Sequence, residues 1–196
     1  MATLFDDILL QGVKKGQVPA RTQDARDWFR EKARSQRSAR QYPANLMKEG
    51  QKTDSIRPGY MYHFFYDPKF KKTLPYYDRF PLIFMVDTAP KGFYGINLHY
   101  LPPKLRAALM DSLYSVVSNK RYDEGTKVRI SYDILKGATK YRYFKPTFKH
   151  YLNEYVNSQF LEIPSSEWDI ALFLPTERFE KANKSRVFAD SRKAIS

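Results

Sequence analysis

The run LPYYDRFPLIFMVDTAPKGFYGINLHYLPP, residues 74–103, constrains the fold of this chain more than any other stretch. Of the chain's 34 lysines and arginines it holds only Arg79 and Lys91, and aromatic residues fill it instead. Two β-rich apolar runs, RFPLIFMVDT (79–88) and FYGINLHYL (93–101), flank the short turn APKG. That spacing predicts an antiparallel hairpin. Just upstream, GYMYHFFYDP (59–68) predicts a strand with aromatics on both faces, closed by Asp67-Pro68, and KFKKTLPYYD follows as a basic loop. Pro102 and Pro103 then open a helix, PPKLRAALMDSLYSVVSN, where a missing N–H costs nothing. Leu105, Ala108, Leu109, Leu113, Val116 and Val117 share its apolar stripe, which Lys104, Arg106 and Asp111 avoid.

Around this centre the chain divides into three segments. Residues 1–57 read as an N-terminal arm and a basic helix, with Leu4, Phe5, Ile8 and Leu9 forming one helical turn that Gly12, Gly16 and Pro19 break. The helix, TQDARDWFREKARSQRSAR (22–40), has Thr22 as its cap and Asp24 and Asp27 in its first turns. Its apolar face is Ala25, Trp28, Phe29 and Ala33; Arg26, Arg30, Arg34 and Arg37 line another face at four- and three-residue spacing. Residues 41–58 are a polar connector. Residues 58–175 form the core domain, and residues 176–196 a basic, peripheral C-terminal tail. Within the core, TKVRISYDIL (126–135) reads as a strand or extended arm, and TFKHYLNEYVNS (147–158) as a helix capped by Thr147 with Phe148, Tyr151, Leu152, Tyr155 and Val156 inward. FLEIP and WDIALFLP read as strands joined by a turn at Ser165-Ser166. The expected fold class is α+β: a small, curved antiparallel β-barrel, SH3-like, with an inserted amphipathic helix and peripheral N- and C-terminal helices. An open antiparallel sheet with helices on one face is the alternative.

The absence of cysteine excludes disulfides, thiolate metal sites and a cysteine nucleophile. No apolar run approaches the length of a membrane span, and the acidic start MATLFDDILLQGVKK does not read as a secretory signal. His63, His99 and His150 lack metal-ligand spacing. Asp78, Asp87, Asp111, Glu162 and Asp169 are candidates for a metal-dependent nuclease, yet none begins the acidic strand pattern that such a site uses. The glycines form neither a phosphate loop nor a nucleophile elbow. The expectation is a non-enzymatic protein with no cofactor, no metal and no small-molecule substrate.

Binding signals are stronger. A formal net charge of +13 favours a polyanionic partner, nucleic acid first, or else an acidic neighbour in an assembly. Arg26, Arg30, Arg34 and Arg37 suit phosphate contacts through their forked donors. In KGATKYRYFKPTFKH, Lys140, Arg142 and Lys145 alternate with Tyr141 and Tyr143, so that cations grip phosphates while rings stack on bases; Lys136, Lys149, Phe144 and Phe148 extend the pattern. Lys69, Lys71 and Lys72 add a further basic loop.

The motifs GYMY, YDPK, LPYYDRFP and GINLHYLPP, within residues 58–114, resemble a group of small proteins of contractile-tailed, T4-like bacteriophages, often labelled DNA end-protector proteins. The resemblance implies a virion structural or assembly protein, made in the host cytoplasm and incorporated into the particle. Its implied partners are double-stranded DNA termini and other virion proteins. A subunit of the phage neck or tail baseplate, binding only proteins, is the alternative.

Overall fold

The structure is a computed structural model that describes residues 4–17, 22–36, 43–117, 119, 121–138 and 142–195. Its α-helices are α1 (Leu4–Lys14), α2 (Gln23–Ser35), α3 (Pro43–Glu49), α4 (Pro103–Val117), α5 (Glu124–Ala138), α6 (Trp168–Phe173) and α7 (Lys184–Ile195). The strands are β1 (Lys52–Thr53), β2 (Met61–His63), β3 (Tyr77–Asp78), β4 (Leu82–Ala89), β5 (Gly92–Asn97), β6 (Phe148–Leu152), β7 (Phe160–Ile163) and β8 (Phe179–Glu180). Six of them form one antiparallel sheet in the order β1-β7-β2-β4-β5-β6, while β3 and β8 make a separate two-stranded ribbon.

The expected hairpin is present as β4 and β5, with Lys91 at φ 60 in the turn. The SH3-like barrel is not. The sheet is open, with β1 and β6 at opposite edges, so the alternative architecture is nearer the mark. The barrel reading fails because two segments expected to supply strands are helices. Asp123 accepts from the N–H and hydroxyl of Thr126, capping α5 across the predicted 126–135 strand, and Ser131 and Leu135 are its buried pair one turn apart. WDIALF is buried at every position from Trp168 to Phe173, which erases the periodicity that would have announced a helix.

The reverse error occurs at 147–158. Local spacing suggested a helix, but residues 148–152 pair with β5 from Ile96↔Phe148 to Gly92↔Leu152. Gly92 permits this approach, since a Cβ there would lie 1.8 Å from the Tyr151 carbonyl oxygen. Non-local pairing overrides local pattern, as it commonly does in strands. The N-terminal turn is also longer than expected, because α1 runs through Gly12.

Alternation along the strands explains the aromatic density. Met61, Leu82, Phe84, Val86, Ile96, Leu161 and Ile163 face a large core shared with Leu4, Phe5 and Ile8 of α1, Phe29 and Ala33 of α2, Leu109 and Leu113 of α4 and most of α6. Tyr62, Phe64, Ile83, Met85, Phe93 and Tyr151 face the opposite side, and loop residues such as Ile56 and Val156 cover them. Phe64 meets Tyr66, Phe93, Tyr151 and Phe160 edge-on at centroid distances of 5.1–6.1 Å. Loops contribute less apolar volume than helices, and large rings make up the difference.

Candidate nucleic-acid interface

Three polar residues of the central motifs, Asp78, Asn97 and His99, turn inward. Asp78 Oδ2 lies 2.6 Å from His99 Nδ1, and Asn97 Nδ2 donates both to Asp78 (3.2 Å) and to the Tyr151 hydroxyl (3.1 Å). The N–H groups of Phe80 and Arg178 donate to Asp78 Oδ1, and His99 Nε2 sits 3.3 Å from Thr176 Oγ1. Burial alone would raise the Asp78 carboxyl, but His99 and these donors hold it below its ordinary range. Arg106 donates to the carbonyls of Leu101 (2.7 Å), Leu172 (2.9 Å) and His99 (3.1 Å) and to Glu177 (3.0 Å), which ties α4 to the segment after α6. Carboxylate, imidazole and hydroxyl stand in the order of a catalytic triad. His99 and Thr176 are both 0% exposed, however, so the cluster is a clamp that no substrate reaches. Beside it, His63 donates through Nδ1 to the Pro81 carbonyl and stacks on Phe80. Burial lowers its pKa to about 3, leaving it neutral.

The other carboxylates considered for hydrolysis are also engaged with cations. Asp111 and Asp169 pair with Arg30, Asp87 lies 3.6 Å from Lys136, and Glu162 lies 3.9 Å from Arg57. Among the described residues no group of histidines and carboxylates is arranged to hold a metal ion.

The arginine stripe divides along its length. Thr22 caps α2 through the N–H of Ala25, as the sequence suggests. Arg30 is only 4% exposed and donates to Asp169 (2.6 Å) and Asp111 (2.8 Å). Burial opposes its charge, but these two carboxylates more than offset that and raise its pKa. Arg30 therefore fastens α2 to α4 and α6, and as a phosphate contact it is withdrawn. Arg26 lies 3.4 Å from Asp111 with its guanidinium 5.3 Å from the Tyr114 ring centre. Arg34 is solvent-exposed, its guanidinium 4.1 Å from the ring centre of Phe173. Arg37 lies outside the described residues, as do Lys140 and Tyr141.

Arg142 and Tyr143 open a 3-10 helix, Arg142–Thr147, in which Lys145 is exposed. The chain then enters β6, the sheet's edge. Phe148, expected on a buried helical face, is 38% exposed and stacks on Tyr94 at 5.1 Å and 17°, while His150 meets the same tyrosine at 5.0 Å. Tyr94, Phe148 and His150 thus form an aromatic shelf at the edge strand. Sequence reading missed Tyr94 and His150; the i, i+2 spacing of Phe148 and His150 was the available signal. Lys149 projects the other way, its ammonium 4.1 Å from the Tyr100 ring centre, and burial lowers its pKa to about 8. In the basic loop, Lys69, Lys71 and Lys72 are exposed, with Lys71 paired to Asp67 at 2.6 Å.

No curated protein and no solved structure matches this chain. A protein family does, by the description phage T4 terminal DNA protecting protein, over residues 12–193 of the 196. The match takes in α2, the whole sheet, the buried clamp and nearly all of α7, and on that extent the chain belongs to the phage T4 terminal DNA protecting protein family.

Proposed function

We propose that this protein is a non-catalytic virion component that binds the ends of packaged double-stranded DNA and denies them to nucleases. The family match over residues 12–193 carries this reading. Charge supports it, since +13 supplies the counterion-release drive for a phosphate surface. The carboxylates support it too: those that could have served hydrolysis are engaged by Arg30, His99, Lys136 and Arg57. The contact surface comprises Arg26, Arg34 and Arg37 on or after α2, and Lys140, Tyr141, Arg142, Tyr143 and Lys145 before β6, with the Tyr94–Phe148 shelf as a platform for bases unpaired at a frayed end. The protein acts in the particle, after synthesis in the host cytoplasm, alongside other virion proteins. A second reading, a neck or baseplate subunit without DNA contact, draws on Leu10 and Val13, two exposed apolar residues one turn apart on α1.

The test is salt-titrated binding to blunt linear duplex and to a closed circle of the same sequence, with exonuclease digestion of the linear form in parallel. Preference for the linear form, protection from digestion, and intact DNA when protein and Mg²⁺ are mixed alone are expected. Binding that is micromolar or weaker at physiological salt, with no preference for ends, would sink the proposal.

A further inference from the structure

Among the described large apolar side chains, Phe70 is the most exposed, at 62%. It projects from a turn whose backbone is heavily hydrogen-bonded. The Phe70 carbonyl accepts from the N–H groups of Thr73 and Leu74 and from the Thr73 hydroxyl, at 3.0–3.1 Å. Across the turn, the Lys181 ammonium at the end of β8 donates to the carbonyls of Lys71, Lys72 and Leu74. Lys181 itself adopts φ 67, a left-handed conformation that non-glycine residues seldom take. The salt bridge of Lys71 to Asp67 closes the base of the loop. Such bracing fixes the backbone from which the exposed ring projects.

The rim of the turn is cationic. Lys69 Nζ stands 5.6 Å from the Phe70 ring centre, Lys72 is exposed two residues on, and neither makes an ion pair among the described residues. The acid at the base, Asp67, is engaged by Lys71. An apolar disc with a positive border complements a flat apolar surface bordered by phosphates.

We propose that Phe70 is an end cap: its ring stacks on the outer face of the terminal base pair of a DNA duplex, with Lys69 and Lys72 on the flanking phosphates. The inference rests on the reading of the protein as a DNA-terminus binder and adds how an end is told from an interior. Within a duplex every base face is covered by its neighbours, and only the last pair offers one to a protruding ring. Stacking is indifferent to sequence, because every base has a π-face. An exposed phenyl on a braced turn therefore selects ends without reading bases, which neither phosphate contacts nor a groove-tracking arginine achieves.

The experiment uses the full-length protein, a blunt duplex with 2-aminopurine at its terminal pair, a duplex with the probe at its centre, and the same sequence in a covalently closed circle. The wild type is expected to change the fluorescence of the terminal probe and leave the central one unaltered. Phe70→Ala should weaken binding to the open end by about 5- to 150-fold and leave the circle unaffected. Phe70→Trp should keep both end preference and the probe signal. Replacing Lys69 and Lys72 together by alanine should weaken open and closed DNA alike and lower the salt slope by about 2. If the wild type binds open and closed DNA equally, the DNA-terminus reading itself fails. If the wild type prefers ends and Phe70→Ala keeps both the preference and the terminal signal, the end cap alone is overturned. Loss of Phe70→Ala from assembled particles with DNA binding intact would also overturn it, assigning the ring to a protein interface.

Discussion

The clamp beneath the central motifs and the basic surface around it use the same residue types to opposite ends. Arg106 is buried and donates to three carbonyls and Glu177, while Arg34 lies in solvent over one aromatic ring. Inside α2, Arg30 belongs to the first kind and Arg34, four residues on, to the second. A buried cation held by fixed acceptors stabilises a single packing and lies out of a ligand's reach. A surface cation contributes little to the fold and keeps its charge available. The motifs that mark the family lie largely over the first kind. Only the second kind keeps its charge at the surface.

The sharpest way to break this contrast is to truncate one of each. Arg106→Ala and Arg30→Ala should each cost about 3–5 kcal/mol in chemical denaturation, because each leaves buried acceptors unpaired. A loss under about 1 kcal/mol in either would return that arginine to the surface class.

Acid supplies the next largest effect. His63 has a folded pKa of about 3 against 6.5 ordinarily, so below pH 6.5 the unfolded chain takes up a proton that the folded chain refuses. Its contribution is complete above pH 6.5 and falls by about 1.4 kcal/mol per pH unit below that. Glu167 runs the other way: burial and Asp6 raise it to about 7, so it favours folding fully below pH 4.5 and loses that as pH rises through 7. The His63 term is therefore read as the difference between wild type and His63→Phe, about 3 kcal/mol at pH 4.5 relative to neutral pH. Parallel stability–pH curves for the two proteins would refute it. Asp78 adds a further loss only below its ordinary 3.8.

Gly92→Ala should cost about 1–3 kcal/mol and loosen β6 selectively, since the new methyl meets the Tyr151 carbonyl. Hydrogen exchange that rises in β6 while β4 stays protected checks the second part. The smallest effects on stability belong to the surface. Lys145→Ala and Arg34→Ala should change stability by less than about 0.5 kcal/mol, yet each should lower the salt slope of DNA binding by about 0.9. An unchanged slope would remove that residue from the contact surface.

Sequence legibility followed range. The β4–β5 hairpin and α4 were readable because a turn, a pair of prolines and an apolar stripe all lie within a few residues of what they determine. α6 and β6 were not: one is buried at every position, and the other is a strand only through its pairing with β5 more than fifty residues away. The arginine stripe shows the same limit for the site. Nothing near Arg30 distinguishes it from Arg34, because its partners Asp111 and Asp169 lie 81 and 139 residues along the chain. Lys145 is exposed, as its place in a polar loop suggests, while Phe148 reads locally as the inward face of a helix, and its exposed shelf with Tyr94 appears only with the strand pairing.

The open sheet has a mechanical consequence. β4 sits between β2 and β5, whereas β6 is paired on one side only, so its amides can open without disturbing the centre. The shelf of Tyr94, Phe148 and His150 stands on that margin. The molecule thus has a stiff middle and a yielding border, and the border can shift while the register of the core stays put.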